Sequence, residues 1–132
     1  MLRALDHVGI AVADLDAAVE DYRRAFGIEP VLREVVEDQG VEEVLFDVDG
    51  SFVQLVSPLG PDTPVGKFLA NRGPGIHHVG YRVDDVAATL AQLKAEGIRL
   101  VDEEPRTGSR GTTIAFVHPK GMHGVLIELV QA

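Results

Sequence analysis

The chain has 132 residues, 45% of them apolar and 25% charged, a balance that suits one soluble globular domain. Its net charge of −9 argues against a general nucleic-acid binder, because affinity for a phosphate backbone comes largely from clustered Lys and Arg. The absence of cysteine excludes disulfides, thiolate metal ligands and a cysteine nucleophile, and makes the cytoplasm the expected location.

No apolar run approaches the ~20 residues that span a bilayer, so no membrane role is expected. The first residues, "MLRALDHVG", lack the long apolar core of a secretory signal. A short alternating run, "DHVGIAV", then reads as a strand. Asp14 is placed to cap a helix over "LDAAVEDYRRAF". Leu15, Ala18, Val19, Tyr22 and Phe26 give that helix one apolar face, and Gly27 stops it. Three strand-like runs follow: "EPVLREVV", "EEVLFDV" and "SFVQLVS". Asp49-Gly50 is a hairpin signal between the last two.

The Pro- and Gly-rich stretch "PLGPDTPVGKFLANRGPG" reads as a linker with one helical turn at "VGKFLAN". The pattern then returns. "HHVGYRV" is a strand, "DDVAATLAQLKAE" a capped helix, and Gly97 its stop. "IRLVDEEP", "TTIAFVHP" and "GVLIELVQ" are three more strands.

The order β-α-β-β-β thus occurs twice, and "HVGIAVADLDAAV" lies on "HVGYRVDDVAATL" without a gap. Repeat one covers about 3–58, the linker about 59–73 and repeat two about 74–131. Each half holds about 65 residues, a size at which a core is marginal. One domain over 1–132, in which two halves share their burial, is therefore expected.

Strand period two assigns faces. His7, Gly9 and Ala11 share one face of the first strand. His78, Gly80 and Arg82 share the matching face of the fifth, and His77 lies on the other. The repeat therefore pairs His7 with His78. Each histidine has a glycine two residues on, which leaves room beside an imidazole. Gln54 and Glu128 sit at equivalent points of the two last strands, in runs too apolar to be solvated throughout. Alone, each of the four reads as an ordinary polar core residue. Together, at symmetric positions, His7, Gln54, His78 and Glu128 suit a divalent first-row metal with two positions left open.

The stretches "LDHVGIAVADL", "EDQGVEE", "GIHHVGYRVDD" and "HPKGMHGVLIEL" carry a resemblance. They resemble the vicinal oxygen chelate superfamily (glyoxalase, bleomycin resistance, dioxygenase) and, within it, the methylmalonyl-CoA epimerase family. The resemblance covers nearly the whole chain. It implies an α+β fold in which two βαβββ repeats form an incompletely closed eight-stranded barrel or cup. It implies one divalent ion, Co²⁺ first, with Mn²⁺, Ni²⁺, Zn²⁺ and Mg²⁺ as alternatives. The family's ligand positions fall on His7, Gln54, His78 and Glu128. Its proposed catalytic glutamate falls on Glu43, next to Glu42, and Glu128 is the candidate for the opposite-face acid/base. The implied activity interconverts (2R)- and (2S)-methylmalonyl-CoA through α-proton abstraction and a metal-stabilised enolate. A small acyl-CoA substrate and a homodimer are the implied partners.

Other readings stay open. A glyoxalase I-like lyase uses a similar four-ligand site. A metal-free binding or resistance protein uses the same scaffold without the ligands. Glu43 is also compatible with a solvated strand position. Arg106, Arg110 and Lys120 are candidate contacts for CoA phosphates, with solvated loop charge as the alternative.

Overall fold

Two aspartates at equivalent places start the two helices of the repeats. The computed structural model describes residues 1–132. In it Asp14 accepts from Ala17 N at 3.0 Å and begins α1 (Leu15–Phe26). Asp85 accepts from Ala88 N at 3.0 Å and begins α3 (Val86–Ala95). Gly27 closes α1 in the left-handed region at φ 62°, a conformation that costs glycine little.

The other elements are β1 (Leu2–Ala11), β2 (Leu32–Val36), β3 (Val41–Val48), β4 (Ser51–Pro58), α2 (Pro64–Arg72), β5 (Gly75–Val83), β6 (Arg106–Thr107), β7 (Thr113–Val117) and β8 (Ile127–Gln131). The fold class is α+β, with the βαβββ order twice. The eight strands form one mixed sheet, ordered β2-β3-β4-β1-β5-β8-β7-β6. No helix is long and apolar enough to cross a membrane.

The chain divides into two compact units, one of Val8–His77 and one of Met1–His7 with His78–Ala132. In the Val8–His77 unit, Leu15 and Val19 of α1 pack with Val44, Phe46 and Leu55 on one face of the strands. Tyr22 stacks on Phe46 with ring centroids 5.1 Å apart. Ala11, Val36, Val41 and Val56 point the other way, against Val65, Phe68 and Leu69 of α2. Leu55 and Val56 thus go to opposite clusters, as period two requires. Val48 and Ser51 pair across a two-residue turn whose Asp49 and Gly50 both have positive φ, 53° and 93°. Paired positive φ values are what a primed hairpin turn demands.

The second unit repeats the scheme. Val86 and Leu90 of α3 pack with Val83, Ala115, Val117 and Leu129. Ile114, Phe116 and Val130 face the opposite side with Leu126. β8 runs antiparallel to β7 and parallel to β5.

Two segments differ from the sequence reading. The linker holds a full nine-residue helix rather than one turn. Thr63 caps it and Pro64 opens it, both ordinary start signals. "IRLVDEEP" is not a strand. It makes one isolated bridge, Leu100 to Val117, and strand pairing resumes only at Arg106 and Thr107. Val101 N still donates to Phe116 O at 3.0 Å and His118 N to Arg99 O at 3.0 Å, but Phe116 N donates to the Asp102 side chain at 2.9 Å instead of to a backbone carbonyl.

Candidate metal centre and active site

β1, β5 and β8 bring three donors to one buried point. His7 Nε2 lies 2.9 Å from His78 Nε2 and 3.2 Å from Glu128 Oε1. His78 Nε2 lies 3.1 Å from the same oxygen. All three residues are buried. Cis ligands on an octahedral ion with ~2.1 Å bonds stand about 3.0 Å apart. The spacing of the three donors therefore fits a divalent cation. So does the chemistry, since two imidazoles and a carboxylate suit first-row metals.

Strand alternation accounts for the selection of His78 over its neighbour. The His78 ring meets His7 at 5.0 Å and Phe116 at 5.8 Å between centroids. His77, on the other face, packs edge-on against Phe68. Gly80 is what leaves room for the first imidazole. A Cβ there would collide with the His7 ring.

The centre is electrostatically prepared for a cation. Burial disfavours a charged His7, but hydrogen bonds to Asp6 and Glu128 raise its pKa to about 9. Burial likewise opposes ionisation of Glu128, yet its hydrogen bonds with His7 and His78 bring its pKa down to about 2. Surroundings that favour a proton on His7 favour a metal ion for the same reason.

Gln54 and Glu43 lie in the other unit, on adjacent strands β4 and β3. Glu43 is fully buried and Gln54 nearly so. Gln54 Nε2 donates to Glu43 Oε1 at 2.9 Å. That bond fixes the amide, and Gln54 Oε1 is left buried with no hydrogen-bond partner. A buried carbonyl oxygen without a donor is costly and is a ready ligand for a cation. Glu42, by contrast, is half-buried and takes a hydrogen bond from Arg33 Nε at 3.0 Å.

Behind His7 stand Asp6 and Arg82, neither singled out as a site candidate, and Arg110, offered by the sequence only as a CoA-phosphate contact. Asp6 is buried beside it and accepts from His7 Nδ1 at 2.7 Å. Arg82 Nε donates to Asp6 Oδ1 at 2.8 Å and Arg110 Nη2 to Asp6 Oδ2 at 2.6 Å. Burial opposes the Asp6 charge, but the hydrogen bonds from His7 and Arg82 and the Arg110 charge hold its carboxyl well below the usual range. Arg110 is therefore not a solvated loop charge. Nor is Arg106, which lies over the Phe116 ring and pairs with Asp102. The one sequence signal for Asp6 is its place immediately before a candidate ligand.

The family model for the Glyoxalase/Bleomycin resistance protein/Dioxygenase superfamily matches residues 6–116. The chain belongs to this superfamily. Its relatives are more specific. It is 38% identical to the ethylmalonyl-CoA/methylmalonyl-CoA epimerase of Cereibacter sphaeroides, over 99% of both chains. A Streptomyces coelicolor methylmalonyl-CoA epimerase variant in complex with 2-nitronate-propionyl-CoA matches with TM-score 0.96 and 44% identity, over 100% of this chain and 96% of that one. Methylmalonyl-CoA epimerase from Mycobacterium tuberculosis matches with TM-score 0.94 and 46% identity, over 98% of this chain and 88% of that one.

Proposed function

We propose that the chain is a metal-dependent epimerase that interconverts (2R)- and (2S)-methylmalonyl-CoA. The observation that carries this reading is the buried triangle of His7, His78 and Glu128 in a chain whose relatives bear that activity in their names. Gln54 is the proposed fourth ligand, through the buried carbonyl oxygen that takes no hydrogen bond. Co²⁺ is the first candidate ion, ahead of Mn²⁺, Ni²⁺, Zn²⁺ and Mg²⁺.

A divalent ion in this centre would supply positive charge to the oxygens of the thioester and carboxylate, on which negative charge grows as the α-proton leaves. The remaining work falls to side chains. Glu43 is the proposed base, taking the α-proton on one face to leave the enolate. Its burial keeps competing water away from the carboxylate. The hydrogen bond from Gln54 holds it in one orientation. Return of a proton on the opposite face inverts the α-carbon, and Glu128 is the candidate for that second role. A cytoplasmic homodimer is the proposed form.

The test is α-deuteration. Metal-loaded protein in D₂O should exchange the α-hydrogen of methylmalonyl-CoA and racemise a single epimer. Ethylmalonyl-CoA belongs in the same assay, given the name of the Cereibacter relative. Absence of both exchange and racemisation would sink the proposal.

A further inference from the structure

We propose that Asp6 is a positioning residue of the metal centre: clamped by Arg82 and Arg110, its carboxylate holds the His7 imidazole so that Nε2 faces His78 and Glu128. This inference rests on the metal-dependent reading above.

Asp6 and His7 are consecutive, and both are buried. Strict alternation would send them to opposite faces, yet the carboxylate reaches Nδ1 of its neighbour at 2.7 Å. The two ring nitrogens of His7 thus have separate duties. Nδ1 donates to Asp6, and Nε2 stands among the other donors of the triangle. A hydrogen bond at one ring nitrogen fixes the orientation of the ring and leaves the other nitrogen's lone pair for a cation.

The clamp makes the carboxylate rigid. A buried carboxylate needs partners, and Asp6 has three donors at 2.6 to 2.8 Å. Arg82 comes from β5, the strand of His78. Arg110 comes from the turn before β7 and sits at φ 59°, where a side chain other than glycine is strained. The strain accompanies a guanidinium delivered to Asp6. In the second repeat the residue before the ligand is His77, which packs edge-on against Phe68.

A purely structural role, in which Asp6 merely neutralises two arginines, makes a different prediction. Asp6→Asn offers one acceptor oxygen to three donors. With Arg82 drawing that oxygen, the NH₂ points at His7 Nδ1 and pushes the ring proton onto Nε2. Asp6→Asn with Arg110→Gln removes one negative and one positive charge together, so the charge balance around Asp6 is restored while the carboxylate stays absent.

The experiment titrates Co²⁺ into the full chain in competition with a chelator, and records the visible spectrum and thermal unfolding. The expected result is a 10–100-fold loss of Co²⁺ affinity and a changed ligand-field spectrum in Asp6→Asn. The double variant should regain thermal stability but not affinity or spectrum. If Asp6→Asn is too unstable to titrate, the double variant carries the same readings. Wild-type affinity and spectrum in either variant overturn the positioning role and leave the metal reading intact. A wild-type chain that takes up no Co²⁺ overturns both.

Discussion

Gln54 donates its amide to Glu43 at 2.9 Å, so the residue proposed as ligand also orients the residue proposed as base. The two lie diagonally across neighbouring strands, Gln54 opposite Leu45 and Glu43 opposite Val56. Both occur in strands whose other buried residues are mostly apolar. A buried acid in such a place survives because it has a partner.

Glu43→Gln keeps the size of the side chain and the oxygen that accepts from Gln54, and removes the proton acceptor. Folding and metal content should be unchanged, while epimerisation falls about 10²-fold or more. Glu42→Gln should be nearly silent, because a partly solvated surface pair such as Arg33–Glu42 contributes ~0–1 kcal/mol. Steady-state rates with parallel metal analysis check both. Full activity in metal-loaded Glu43→Gln removes Glu43 from the reaction.

The two adjacent histidines should behave differently. His78→Ala deletes a corner of the donor triangle and should abolish stoichiometric metal. His77→Ala loses a ring contact with Phe68, worth ~0.5–1.5 kcal/mol, and should keep the metal. Elemental analysis after dialysis reads the difference, and the reverse outcome would refute the facing of β5.

That facing was legible because the strands alternate cleanly. His78, Leu129 and Val130 each fall on the side that period two assigns. Asp6 was not legible, since the same rule sends it away from His7. Its other partners lie 76 and 104 residues along the chain, beyond any local pattern. The full length of helix α2 is masked in the sequence because Pro and Gly around it outweigh Thr63-Pro64, a valid start. In the opposite direction, "IRLVDEEP" has strand-forming residues at its start, but the Phe116 N–H of β7 goes to the Asp102 side chain and regular pairing stops there. Propensity cannot anticipate such a substitution of partners.

Gly80→Ala probes the space around His7. The added methyl meets the imidazole, so the ring has to move away from its donor position. Metal affinity should fall by at least tenfold even where the variant folds. Gly75→Ala in the same strand is the control, since its Cβ enters open space at an ordinary φ. Equal affinities in the two variants would show that the close approach at Gly80 has no bearing on the metal.

Removing the metal should lower thermal stability. Three buried donors now 2.9 to 3.2 Å apart are held together more favourably around a cation than around one another. An ion present at 100 times its Kd stabilises the folded chain by about 2.7 kcal/mol. Scanning calorimetry of chelator-treated and Co²⁺-loaded protein should show a Tm that rises with Co²⁺ concentration. A Tm independent of added metal, in protein shown to be metal-free at the start, would count against a folded-state site.

Gln54 provides the test that separates ligation from base chemistry. Gln54→Leu removes the amide N–H that orients Glu43 and the carbonyl oxygen proposed to bind metal. Metal affinity and kcat should therefore fall together, whereas Glu43→Gln lowers kcat alone. Gln54→Glu replaces the amide donor with an acidic group directly against the Glu43 carboxylate. Two carboxyls at hydrogen-bond distance do not both ionise readily, so one of them should take a proton near neutral pH. With Glu43 sharing that proton, its capacity as a base drops, and activity should recover on raising the pH even though a carboxylate ligand is available to the metal. A pH–rate profile of Gln54→Glu, compared with wild type, reads this directly. An unshifted profile together with wild-type metal affinity would mean that the Gln54–Glu43 hydrogen bond does not govern the base.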